Sequence, residues 1–66
     1  MTVVLNGKRR ELEPGTTVAD LVVLLEERRD GVAVALNEEV VPRSRWQSTT
    51  LHDRDRVEVL TAAGGG

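Results

Sequence analysis

The chain has 66 residues, with 9 basic and 11 acidic side chains, one His, no Cys and a net charge of −2. One small domain of this size buries only about 60% of the surface its unfolded form exposes, and at roughly 0.05–0.15 kcal/mol per residue its stability comes to about 3–10 kcal/mol. Without cysteine there are no disulfide staples and no thiolate metal sites, and a lone His52 leaves neither a zinc ligand set nor a His-assisted nucleophile pair. The acidic balance and the single aromatic, Trp46, supply neither a basic footprint nor a stacking platform for nucleic acid. No run is long and apolar enough for a signal or a membrane span. The expectation is a cytoplasmic binding or carrier module, not an enzyme, with no metal and no cofactor of its own.

Val3-Val4-Leu5 is a β-branched opening run that stops at Asn6-Gly7, a pair that tolerates positive φ and suits a two-residue hairpin turn. The pair reads as a turn and nothing more. The return arm, Lys8 to Glu13, is charged apart from Leu12, as an edge strand with little buried side chain would be, and Pro14-Gly15 closes it. Thr17-Val18-Ala19-Asp20 has the form of a capping box, and Val18, Leu21, Val22 and Leu25 then fall on one helical stripe. Glu26 to Arg29 lie near the far end of that helix, and Gly31 suits its C-terminal cap.

Val32 to Leu36 reads as an inner strand, with Val32, Val34 and Leu36 on one face and two alanines on the other. Asn37 to Glu39 is polar enough for a turn, Val40-Val41 is a stub of strand, and Pro42 ends its ladder. Residues 43–50 read as irregular or briefly helical. Arg56 to Leu60 alternates as a last strand, after which nothing large enough to anchor the chain remains. The order predicts an α+β domain over 1–60, a small mixed sheet with one helix on one face, followed by a flexible tail over 61–66.

Three terminal glycines would arise at a chosen position about 3 times in 10,000 at average usage. Two explanations compete: an expression scar or linker end, and a tail shaped for a narrow tunnel in a partner, where the missing Cβ permits close backbone approach. Ordering three residues costs about 3–6 kcal/mol, so a tunnel also demands a docking surface on the folded body. Residues 61–66 reach at most about 20 Å, enough to carry Gly66 into an active site while the body stays outside. Alternation places Leu60 on the sheet face opposite Val57 and Val59, and makes it the candidate docking residue. Trp46 reads as closing a core edge, and His52, Arg43 and Arg45 as solvated loop residues.

The run from Ala35 to Trp46, with Asn37-Glu38-Glu39-Val40-Val41-Pro42-Arg43 at its centre, resembles the signature of the ThiS sulfur-carrier family of bacterial thiamine biosynthesis. Leu5-Asn6-Gly7, Gly15-Thr16-Thr17-Val18, Asp53 to Leu60 and the terminal glycines extend the likeness over essentially the whole chain. The resemblance implies a ubiquitin-like β-grasp fold. It implies that Gly66 is adenylated by a ubiquitin-activating-like adenylyltransferase (ThiF) that uses ATP, then thiocarboxylated with cysteine-derived sulfur and used by thiazole synthase (ThiG). Gly65 would be the other half of the paired ending, and Gly64 would thread with it. A carrier for molybdopterin or cysteine synthesis, or a non-catalytic ubiquitin-like interaction module, is the alternative. One departure is local: family members often have Asp-Gly-Asp where this chain has Asp53-Arg54-Asp55. If that turn needs a left-handed residue, arginine there costs about 1–2 kcal/mol.

Overall fold

The computed structural model describes residues 1–25 and 31–61. Strand β1 (Thr2–Leu5) turns through Asn6 and Gly7, at φ +48° and +82°, into β2 (Lys8–Glu11), and the two pair antiparallel with Leu5 opposite Lys8. All four β2 residues are exposed, as their charge predicts for a sheet edge, and Leu12 just beyond them is buried.

Helix α1 (Val18–Leu24) starts on the expected capping box. The Asp20 N–H donates to Thr17 Oγ1 at 3.1 Å and the Thr17 N–H donates to Asp20 Oδ2 at 3.0 Å, satisfying two donors that the helix itself leaves unpaired. Val18, Leu21 and Val22 are buried and Leu25 packs against the core from its edge. The cap residue at the far end is Leu25 rather than Gly31. Leu25 is the last member of the apolar stripe, and Gly31 instead takes φ +75° just ahead of the next strand. Glu26 to Arg29 lie outside the described residues.

Strand β3 (Val32–Leu36) pairs antiparallel with the short β4 (Glu39–Val41), and a 3-10 segment, Arg43–Ser48, follows Pro42. The last strand, β5 (Arg56–Thr61), pairs antiparallel with β3 on one side and parallel with β1 on the other. Thr61 sits opposite Val32, so the sheet takes in one residue more than the alternation predicts. The order is β2-β1-β5-β3-β4, a mixed five-stranded sheet of the α+β class expected.

The core lies between that sheet and α1, where Val3, Val34 and Val57 from the strands meet Leu21 and Val22 from the helix. Trp46 closes one edge at 2% exposure, as expected, and its Nε1–H donates to the Val41 carbonyl at 2.8 Å. The start of α1 is tied to the segment after the 3-10 turn by two main-chain bonds, Val18 N–H to Thr49 C=O and Leu51 N–H to Thr16 C=O.

Two turns carry side chains where glycine would be easier. Asn37 and Glu38 adopt φ +50° and +73°, nearly the geometry of Asn6-Gly7, with a glutamate in the second place. Arg54 stands at φ +71°, so the Asp-Arg-Asp turn does need a left-handed residue. Its neighbours hold it there: Asp53 Oδ1 accepts from the Thr2 N–H at 2.7 Å, Asp55 Oδ2 accepts from the His52 N–H at 2.7 Å, and the Arg54 N–H donates to Thr2 C=O. A left-handed conformation costs a β-carbon residue about 1–2 kcal/mol, whereas glycine costs about 0.4–1 kcal/mol in unfolded-chain freedom. Glu38→Gly and Arg54→Gly are both exposed, and each should stabilise the domain by about 0.5–1 kcal/mol. At about 4–8 °C per kcal/mol for a chain this small, the double variant should melt at least about 4 °C higher by circular dichroism.

Candidate functional site: the tail-bearing strand and its outer sheet face

Alternation along β5 buries Val57 and Val59 against the helix layer and turns Arg56, Glu58 and Leu60 outward. Leu60 is 65% exposed, as predicted. It sits opposite Ala33 of β3; two residues along, Ala35 lies opposite both Glu58 of β5 and Val40 of β4, and Val40 is 76% exposed. Paired residues share a face, so Leu60, Ala33, Ala35 and Val40 form an apolar strip across three strands, interrupted only by Glu58. The other half of the same face carries Arg9, Val4 and Arg56 in register across β2, β1 and β5. The strip therefore lies toward the end of β5 from which the tail departs. The alanines keep it flat and leave the two larger side chains standing clear of it.

Strand β5 is held unequally on its two sides. Against β3 it is paired from Val57 to Thr61, but β1 pairs with it only at Arg56 and Val57. Beyond Leu5, the side chain of Asn6 takes over from the missing strand. The Asn6 N–H donates to Val57 C=O at 2.9 Å, its Nδ2 donates to Val59 C=O at 3.1 Å, and its Oδ1 accepts from the Val59 N–H at 2.8 Å. A carboxamide offers the same donor and acceptor as a peptide unit, so it extends the ladder by one step. Asn37 does something similar at the other end of β5: its Oδ1 accepts from the Arg56 N–H at 3.0 Å and its Nδ2 donates to Asp55 Oδ1 at 3.1 Å.

Among the other residues singled out in the sequence, His52 is exposed, 3.9 Å from the Asp55 carboxylate, and Arg45 is exposed on the 3-10 segment. Gly64, Gly65 and Gly66 lie outside the described residues. Sequence reasoning missed Val40, whose stub of strand shows its outward side only once it is paired, and Asn6, whose partner is 53 residues away. No helix among the described residues is long and apolar enough to cross a membrane.

The ThiS family model matches residues 3–66. The chain is 30% identical over 66 residues to the sulfur carrier protein ThiS of Escherichia coli, covering all of both. A thiazole synthase of Paramagnetospirillum magneticum is 35% identical over the same 66 residues, which make up 20% of that protein. The crystal structure of the thiamine biosynthesis protein ThiS from Geobacter metallireducens superposes with a TM-score of 0.84, at 35% identity and with full coverage of both chains. A mixed five-stranded sheet under one helix, matched from end to end in sequence and in shape, places this chain in the ThiS family, with the ubiquitin-like β-grasp fold.

Proposed function

We propose that this chain is a sulfur carrier of thiamine biosynthesis, whose Gly66 carboxylate is adenylated, converted to a thiocarboxylate and delivered to a thiazole synthase. The observation that carries the reading is the family match through residue 66, on a chain whose last strand leads from an exposed apolar strip into the glycines. A free carboxylate, with a reference pKa of about 3.5, is anionic at neutral pH and a poor electrophile, so the chain needs an activating partner. One carboxylate oxygen attacks the α-phosphorus of ATP and pyrophosphate leaves. A sulfur nucleophile at the sulfide oxidation level then displaces AMP from the acyl carbon, which leaves a thiocarboxylate, a soft and strong nucleophile. Both steps belong to partners: an adenylyltransferase of the ThiF kind, which binds the ATP, and a cysteine-derived sulfur donor.

The body of the domain supplies recognition. Leu60, Ala33, Ala35 and Val40 offer a dry surface on which a partner can seat while Gly64, Gly65 and Gly66 thread into its active site. The resulting contact offsets the entropy lost in ordering the tail. The relatives named thiazole synthase support that final partner, because a stretch alike to this entire chain forms part of the same polypeptide as the synthase. Incubation with the adenylyltransferase, ATP and a sulfur source should raise the intact mass by about 16 Da, the exchange of one oxygen for sulfur, with the gain confined to the peptide ending in Gly66. Unchanged mass in the presence of enzymes shown to be competent on another carrier would reject the proposal.

A further inference from the structure

Asn6 and Gly7 combine two features that pull in opposite directions. The dipeptide is chemically fragile: a backbone nitrogen followed by no β-carbon meets little hindrance when it turns on the preceding side-chain carbonyl. Gly7 is exposed at φ +82°, and beyond Gly7 itself and its two chain neighbours no heavy atom lies within 4 Å of the place a β-carbon would occupy. The Asn6 carboxamide, by contrast, is engaged at both of its polar atoms by Val59, at 3.1 Å and 2.8 Å. It must leave β5 before its carbon can swing toward the Gly7 nitrogen. Asn37 provides the contrast within the same chain, since it has similar dihedral geometry and two-point bonding but is followed by the bulkier Glu38.

We propose that Asn6 is a self-modification site, in which deamidation at Asn6-Gly7 is restrained by the Val59 clamp and, once complete, leaves the outgoing end of β5 held by β3 alone. The Gly7 nitrogen loses its proton to solvent base and forms a bond to Asn6 Cγ. The Cγ–Nδ2 bond breaks and ammonia leaves, giving a cyclic imide. Water then opens the ring at either carbonyl, to aspartate or to isoaspartate, without any redox change. The aspartate product has lost the donor that served the Val59 carbonyl and sets a carboxylate oxygen against it. The isoaspartate product lengthens the main chain within the turn and carries the carboxyl group away from the strand. Aspartate keeps an acceptor for the Val59 N–H, whereas isoaspartate loses both bonds, and because β1 contributes no pairing beyond Leu5, nothing else on that side of β5 replaces what is lost among the described residues. From Val59 to Thr61 the strand is then held by β3 alone, so the modification loosens the strand end that presents the apolar strip.

The test is a timed incubation of the full chain in mildly alkaline buffer, native and in concentrated urea, with the modified peptide located by mass. In urea the peptide containing Asn6 should become about 1 Da heavier, while the peptide containing Asn37 does not. In native buffer the gain should be at least about tenfold slower, as expected when reaction waits on local opening. The isolated isoaspartate product, which carries one more negative charge and has lost both bonds to Val59, should exchange its Val59 amide hydrogen about tenfold faster than the unmodified protein. Equal rates in urea and native buffer, modification of Asn37 ahead of Asn6, or unchanged Val59 exchange in the product would each overturn the proposal. Mass and exchange are read without any partner, so the result stands apart from the carrier assignment.

Discussion

Trp46→Ala should remove about a third or more of the domain's stability. The indole is 2% exposed, is the largest buried side chain, and joins the 3-10 segment to the helix layer. Truncating a buried Trp costs about 3–5 kcal/mol. Set against a total of about 3–10 kcal/mol for a 66-residue chain, that loss takes about a third to a half of the margin at the high end of the range and all of it at the low end. Far-UV circular dichroism in a urea titration is the suitable measurement, because the substitution removes the protein's only tryptophan fluorophore. Trp46→Phe separates the contributions. It keeps most of the apolar bulk but deprives the Val41 carbonyl of the Nε1–H, and it should cost about 1–3 kcal/mol while the fold survives. An alanine variant within about 1 kcal/mol of the parent would show that the indole does not close the core.

The second large effect concerns recognition rather than folding. Leu60→Ala removes an outward side chain, and substitutions at so exposed a site leave stability within about 0.5 kcal/mol. If a partner covers Leu60 as proposed, the lost burial is worth about 1.5–3 kcal/mol, a drop in affinity of roughly 10- to 100-fold for the adenylyltransferase. Val23→Ala is the matched control. Val23 is 66% exposed, nearly the same as Leu60, but it stands on the helix, on the other side of the sheet. Calorimetry should show the Leu60 variant weakened and the Val23 variant unchanged, with both melting like the parent. Equal affinities for Leu60→Ala and the parent would remove this face from the interface.

What the sequence made legible follows from how local each signal is. The capping box at Thr17 and Asp20, the turn at Asn6-Gly7 and the β-branched alternation of β5 are decided within a few residues, and each appears where it was expected. The same alternation also predicted that Leu60 would face outward. The strained turns show the limit of such signals. Glu38 carries no mark of a left-handed conformation, and it is the pairing of β3 with β4 that imposes one. Arg54 was foreseen only conditionally, through the contrast with a glycine often found there in the family. Long-range partnerships were hidden altogether: a carboxamide at position 6 looks the same whether it faces water or completes the ladder of a strand 53 residues later. The strip formed by Ala33, Ala35, Val40 and Leu60 was likewise invisible, because its members come from three segments and become neighbours only through register.

The last of the described strands, β5, occupies the middle of the sheet. Until β5 arrives, the β1–β2 hairpin and the β3–β4 hairpin have no shared edge, and a nascent chain on the ribosome consists of two ribbons that cannot join. Collapse into the native topology therefore waits until β5 itself has been translated, as expected when the pairing that closes a fold joins residues far apart in sequence. A premature stop anywhere before β5 yields a product without a central strand, open to cellular proteases. Biogenesis thus couples possession of a native body to possession of the segment that leads to the glycines.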